Sequence, residues 1–394
     1  MIRRLLLATW LLLGCGSRTA LDVSSQPFDA GPARVDAGRR DRVDGGVFVP
    51  SPPTRLAAGT YHTCAVVSGG RVRCWGHNDG GQLGVPLDDR HEPLDPTDVP
   101  GIDDAVEVAA GRESSCARHA SGEVSCWGRL GPGVEVSGPT RVRGITTAVE
   151  LTSGSAHRCA RLRDATVVCW GLNERGQLGD GTTTRRDVPA PVASLAGVEE
   201  ISAGWDHSCA RTTDTVYCWG HNGEGQLGVG SFAPHHTPMP VSLAVDVVEI
   251  AAGWSHTCAR TGEGEVYCWG RRWGVESESR PDEVHRLLPE RVASLARVVE
   301  VDAGGAHTCT RDAEGVVACW GRDDYGQLGT GAGSLDTTRP EPRPVSALGR
   351  TEELVAGWVH NCARERSGRV LCWGSWGRHR GGPSDATPRV VAGL

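Results

Sequence analysis

Cysteine and histidine recur together along this chain of 394 residues, and either could do chemistry. Six histidines, His62, His157, His207, His256, His307 and His360, each stand two residues before a cysteine, and six imidazoles would suit a metal site or acid-base work. The cysteines come in pairs: Cys64 with Cys74, Cys116 with Cys126, Cys159 with Cys169, Cys209 with Cys218, Cys258 with Cys268, Cys309 with Cys319, and Cys362 with Cys372. The members of a pair lie too far apart for the Cys-x-x-Cys half of a zinc site, and no second pair sits nearby in sequence. No Gly-x-Ser-x-Gly elbow, P-loop or His-Glu-x-x-His motif accompanies them, and the acidic residues read as scattered through loops. Disulfide formation is the chemistry that the spacing favours, for a geometric reason.

That reason lies in the elements that carry the pairs. In "HTCAVVSGGRVRCWG", residues 62–76, two short alternating runs flank Ser68, Gly69 and Gly70, which reads as a β-hairpin. Directly opposed residues of an antiparallel hairpin have a constant index sum, so Cys64 faces Cys74 and Val67 faces Arg71. Gly70, third in the loop, suits the left-handed position of a turn plus bulge, as do Gly122, Gly264, Gly315 and Gly368. The fourth pair is one residue closer, and the deletion falls in the loop, leaving Thr213 and Asp214 as a two-residue turn with the register intact. Opposed Cα atoms lie about 4.5 to 5.5 Å apart, within the roughly 4.4 to 6.8 Å that a disulfide tolerates.

The hairpin repeats seven times, its first cysteine recurring at Cys64, Cys116, Cys159, Cys209, Cys258, Cys309 and Cys362, so residues 55–394 form one tandem array. In the fifth copy "VVEIAAG", "HTCAR" and "EVYCWG" read as three strands, and segments of the "PMPVSL" type as the fourth. Such a unit cannot bury both faces of its sheet, whereas neighbouring units packed in a ring can, and seven fits the roughly four to eight blades that close one. The fold class is therefore all-β, a seven-bladed β-propeller of four-stranded antiparallel blades. A residue that recurs once per blade is a blade width from its copies. The histidines are accordingly read as structural, bonded to neighbouring backbone, and Trp75, Trp127, Trp170, Trp219, Trp269, Trp320 and Trp373 as packing between blades.

The amino terminus, "MIRRLLLATWLLLGCGS", has two arginines, an apolar run from Leu5 to Leu13 too short to span a bilayer, and Leu12, Leu13, Gly14 and Cys15 in sequence. It resembles a bacterial lipoprotein signal, which implies that residues 1–14 are removed, that Cys15 is acylated, and that the protein is extracytoplasmic and lipid-anchored; Gly16 in place of aspartate favours the outer membrane. Cys15 is also the one cysteine of 15 outside the hairpin pairs, and an even set behind an export signal argues for disulfides. Residues 15–54, rich in Gly, Pro, Ser, Asp and Arg, read as a flexible tether. The net charge of -7 leaves no basic footprint for nucleic acid, and all 41 positive residues are arginine.

The unit "AAGWSHTCAR…GEVYCWG", followed in four copies by "HNDGGQLG", "LNERGQLG", "HNGEGQLG" or "RDDYGQLG", resembles the regulator of chromosome condensation repeat in its cysteine-containing bacterial form. The resemblance implies a seven-bladed propeller. Its eukaryotic founder is a nucleotide exchange factor for a small GTPase, and a secreted bacterial class inhibits β-lactamases with one propeller face. Copies two, five and seven depart from it, with "RLGPGVE", "RRWGVES" and "SWGRHRGG" in place of the Gly-Gln-Leu-Gly turn, and Ser114 stands where the other copies have histidine. Non-repeating aromatics crowd the end of the propeller that bears the turns after the first and third strands: Tyr61, Trp205, Trp254 and Trp358 in the former, Trp273, Tyr325 and Trp376 in or beside the latter. Exposed aromatics and arginine anchor binding hot spots. The expected function is that of a non-enzymatic, monomeric scaffold without cofactor or metal, binding a protein or glycan through this face and touching the membrane through its lipid alone. The other reading is a propeller lyase or hydrolase with a site at the central channel, marked by His and carboxylates converging at the channel mouth.

Overall fold

The structure, a computed structural model, describes residues 56–86, 95–272, 284–331, 338–375 and 385–394. The leader at 1–14, Cys15, the tether at 15–54, Trp273 and Trp376 lie outside the described residues. The chain divides into Met1–Val49 and Pro50–Leu394, and the second unit is the one with described strands.

That unit is built of seven four-stranded antiparallel sheets, each made of four consecutive strands. In blade 5 the strands are Val247–Ala252, His256–Thr261, Val266–Arg271 and His285–Arg291. The first three match the alternation read from the sequence. The fourth is displaced: in blade 4 it spans His235–Pro240, three residues earlier than the expected "PMPVSL" at 238–243, because Val241 turns inward and its N–H donates to the Val216 carbonyl. Prolines stud these outer strands, among them Pro189, Pro238, Pro289, Pro340 and Pro388. A proline cannot donate to a further strand, which blunts the exposed edge. First strands of successive blades lie side by side around the axis, and the first strand of blade 1, Leu56–Ala58, packs against that of blade 7, Thr351–Ala356, which closes the ring.

The register is the expected one in all seven hairpins. Cys64 opposes Cys74, Val67 opposes Arg71, and every cysteine pair is bonded, with Cα atoms 4.1 Å apart, slightly closer than the expected range. Gly70 has φ of 72°, as its loop position requires.

The apolar core is distributed between blades. Trp127 of blade 2, for example, packs with Val72, Leu83 and the cystine of blade 1, and it is fully buried. Hydrogen bonds fix four of the seven indoles in place, those of Trp127, Trp219, Trp269 and Trp373. Trp127 Nε1 and Ser115 Oγ both donate to the Gln82 carbonyl of the preceding blade, each at 2.9 Å, and the pattern recurs for Trp219 with Ser208 on Gln177 and for Trp269 with Thr257 on Gln226. This explains the Gly-Gln-Leu-Gly turn: its leucine fills the space between blades and the carbonyl of its glutamine receives two donors.

The histidines complete this belt and correct one expectation. They bond side chains of the next blade instead of backbone: His62 Nε2 lies 2.9 Å from Ser115 Oγ, His207 2.9 Å from Thr257 Oγ1, His307 2.7 Å from Asn361 Oδ1, and His360 closes the ring on Thr63 Oγ1 at 2.9 Å. Because Ser115, Ser208 and Thr257 donate onward to carbonyls, the histidine nitrogen that faces them carries a proton. Burial lowers the pKa of His62, His157, His207, His256 and His360 to about 3 and of His307 to about 4. Blade 2 lacks the histidine, and blade 3 compensates. Where the other copies put Ser, Thr or Asn after the histidine, blade 3 has Arg158, whose buried guanidinium reaches back to Ser114 Oγ and to the Leu130 carbonyl at 2.7 Å.

Candidate binding face at the axial mouth

The turns after the first strands, which carry the sequence Ala-Gly-x-x-His in most blades, converge at one end of the axis. Their glycines allow the convergence. A Cβ on Gly204 would strike the Gly253 carbonyl and the His207 ring, and Gly154, Gly253 and Gly304 are confined in the same way by the next blade. Backbone hydrogen bonds link each turn to its neighbour: Thr60 N–H to Gly111 O, Arg112 to Ser155 O, Ser155 to Trp205 O, Trp205 to Gly253 O, Trp254 to Gly304 O, Gly305 to Gly357 O, and Trp358 back to Gly59 O, at 3.1 to 3.2 Å. A closed annulus of peptide groups therefore rims the channel, whose cavity of about 90 Å³ is floored by alanines such as Ala58, Ala203 and Ala252.

Side chains at the position after the glycine hang from this annulus. Four blades place Thr60, Arg112, Ser155 and Gly305 there, and three place Trp205, Trp254 and Trp358. The three indoles meet over the axis: Trp205 and Trp358 are edge to face at 4.0 Å between ring centroids, Trp254 and Trp358 lie 5.2 Å apart, and Trp205 and Trp254 6.2 Å. Tyr61, one residue further along its turn, stacks on Trp358 at 6.4 Å, and the Arg112 guanidinium lies over Trp205 at 5.7 Å. All four rings are half-buried, against one another and not in the core between blades, while Arg112 is exposed. The His77 N–H bonds the Tyr61 carbonyl at 2.8 Å, which puts the turns after the first and third strands at the same end, as expected. Tyr325, however, sits in the turn after the third strand of blade 6 and does not line the mouth. Of the expected aromatics, four form one cluster, Tyr325 stands apart, and Trp273 and Trp376 lie outside the described residues.

Carboxylates also gather near the axis, contrary to the reading that placed the acids in loops. Glu107, Glu150, Glu200, Glu249, Glu300 and Glu353 occupy one register position of the first strands, each opposite an arginine of the second strand. Arg260 Nε donates to Glu249 Oε2 at 2.5 Å and Arg311 to Glu300 at 2.6 Å. The other carboxylate oxygen accepts the free-edge N–H of the next blade's first strand: Glu249 takes Val301 at 3.3 Å, and Glu353 takes Leu56 across the closure at 2.9 Å. Burial pushes Glu107 and Glu300 up to about 7 and Glu200 to about 8, against the pull of their arginines. These acids are ligated by the fold itself, and the histidines bond between blades, so neither set converges on the mouth as a catalytic group would. The signal was present in the sequence: a glutamate and an arginine eleven residues apart, as in Glu249 and Arg260, recur in six copies.

Comparison with known proteins fits this geometry. Residues 128–394 match the RCC1-like domain, and residues 54–82 and 69–118 match the regulator of chromosome condensation (RCC1) repeat. The chain is 28% identical over 348 residues to the ultraviolet-B receptor UVR8 of Arabidopsis thaliana, covering 83% of this chain and 66% of that protein. It is 29% identical over 371 residues to the human E3 ubiquitin-protein ligase HERC2, covering 88% of this chain and 6% of that one. The chain thus spans less than two thirds of the length of these relatives. Among solved structures, Prp20p from Saccharomyces cerevisiae aligns with a TM-score of 0.68 at 24% identity over 77% of this chain and 80% of that one, and human WBSCR16 with 0.69 at 21% over 80% and 89%. With the family model covering more than half of its length, the chain belongs to the RCC1-like domain family.

Proposed function

We infer that the protein is an interaction scaffold that binds a protein partner through the axial mouth, with Trp205, Trp254, Trp358 and Tyr61 as anchors and Arg112 as the charged contact. The observation that carries this reading is that three tryptophans hang from a backbone annulus which other blades complete with Ser155 or Gly305. Folding does not require them there. Half-buried aromatics beside an exposed arginine are the composition of a hot spot. A structure of Prp20p, which shares the fold, is reported with binding to Gsp1p and histones. Replacing each tryptophan singly by serine tests the reading by thermal melting and partner binding. Stability should fall by less than about 1 kcal/mol, as for changes away from the core, while binding weakens by about 2 kcal/mol or more; a loss of roughly 3 to 5 kcal/mol of stability would mark them as core.

We propose that this scaffold is extracytoplasmic and lipid-anchored through Cys15, because residues 12–15 resemble a bacterial lipoprotein signal. Cys15→Ala should release the protein from membranes and abolish acyl labelling, and persistence in the membrane fraction would defeat the lipoprotein reading.

One observation supports a second reading. Three indoles within 4.0 to 6.2 Å of one another form a coupled absorber of ultraviolet light, and a relative is a receptor for such light. Ultraviolet-B irradiation should then change partner binding by the wild type and not by Trp254→Phe; equal binding in light and dark would exclude it.

A further inference from the structure

The mouth is not the same all round, and blade 2 breaks its symmetry. The third and fourth strands of that blade, Val124–Gly131 and Val134–Arg141, are joined by Pro132 and Gly133 alone, with Gly131 paired to Val134. Blades 3 and 4 place residues 172–185 and 221–234 at the same point of the chain. The third strand of blade 2 meets the rim of the mouth through Arg129, whose N–H donates to the Glu113 carbonyl at 2.7 Å. Beside Glu113 stands Arg112, which lies over Trp205 and keeps 56% of its side chain exposed.

The charges gathered here leave a positive excess. Among the described residues Arg129 binds Glu113 at 2.6 Å and Glu135 at 2.8 Å, and Arg185 binds Asp187 at 2.8 Å. Arg112 is left 3.7 Å from the other Glu113 oxygen. Next to them Arg158 is buried, and its hydrogen bonds go to neutral oxygens only, those of Ser114, Arg129, Leu130 and Ala156. Four guanidiniums thus stand against three carboxylates, and Arg112 is the most exposed of the four. A buried charge without a counter-ion is poorly screened, so Arg158 adds to the positive field around Arg112. Asp206, which follows Trp205, does little to cancel it: its carboxyl accepts from Ser155 Oγ at 3.1 Å, and burial holds its pKa above the usual carboxylate range.

We propose that the partner presents an acidic residue to this side of the mouth, an aspartate or glutamate whose carboxylate meets Arg112 while the apolar residue beside it lies on the rings of Trp205, Trp254 and Trp358. The inference rests on the mouth being a binding face and names the chemistry of what that face takes. One accessible guanidinium offers one planar fork of donors, which matches a carboxylate. Trp205 holds the guanidinium from the other side through its ring face, and the clustered rings keep water from part of the contact, which strengthens the ion pair over one in open solvent.

The test uses the full chain with the peptide acetyl-Leu-Asp-Leu-amide as probe and acetyl-Leu-Asn-Leu-amide as its neutral isostere, read by indole fluorescence and by the shifts of the indole N–H signals. The acidic peptide should bind saturably and about tenfold more tightly than the isostere, as for a charge-assisted pair, and this preference should shrink as salt rises from about 50 to about 500 mM. Arg112→Gln should remove the preference, leaving the isostere's affinity and the melting temperature unchanged. Trp358→Ser should weaken both peptides alike. If the two peptides bind the wild type equally and Trp358→Ser weakens both, the binding face stands and the acidic inference falls; acid-selective binding that survives Trp358→Ser would instead support the carboxylate contact and count against the aromatic anchors. Absence of saturable binding of the acidic peptide to the wild type, or a preference undiminished in Arg112→Gln, would overturn the proposal.

Discussion

At the scale of single residues, the chemistry of this protein is that of groups held neutral or paired by burial. His207 shows the consequence. Its folded pKa lies near 3 because burial disfavours the charged ring, while an exposed histidine titrates near 6.5. Below pH 6.5 the unfolded chain therefore takes up a proton that the folded one refuses, and stability present at neutral pH is lost as the pH falls towards 3. At pH 5 the loss from one such residue is about 2 kcal/mol. His207→Gln escapes it, so the stability gap between wild type and variant should shrink by about 2 kcal/mol between pH 7.5 and pH 5 in denaturant titrations; a gap independent of pH would contradict the neutral, buried assignment. The structural role of the histidines was legible from their once-per-blade spacing. Their partners were not, because Ser115 or Thr257 becomes a neighbour of His62 or His207 only when blades pack.

At the scale of elements, the hairpins were read almost to the residue, since period-two alternation and loop glycines fix register locally. Contacts between copies were harder, and the buried glutamates illustrate why: a carboxylate in a strand looks solvated until the next blade brings a free N–H to it. The pairing of Ser114 with Arg158 is the sharpest case, two departures from the repeat in different copies that repair one another across an interface. Arg158→Ser should cost roughly 3 kcal/mol, in the range for removing one partner of a buried polar network. Ser114→His should destabilise as well, by crowding the guanidinium. The double variant restores the His–Ser bond found elsewhere and should return to within about 1 kcal/mol of wild type. Additive losses in this cycle would show that the two sites are not coupled.

At the scale of the whole molecule, a ring of seven repeats directs seven equivalent turns at one point, and any turn position that departs from the repeat is displayed there together with its copies. The aromatic residues were visible in the sequence as departures; that Trp205, Trp254 and Trp358 touch one another, while Tyr325 does not join them, depends on the distance of each turn from the axis. The account stands on the claim that this cluster serves a partner and not the fold. Its most direct test is quantitative capture of partners from membrane extracts by the wild-type propeller and by a variant carrying Trp205→Ser, Trp254→Ser and Trp358→Ser together. The account predicts that the variant melts within a few degrees of the wild type and loses the proteins the wild type enriches, whereas undiminished capture by the folded variant would contradict it.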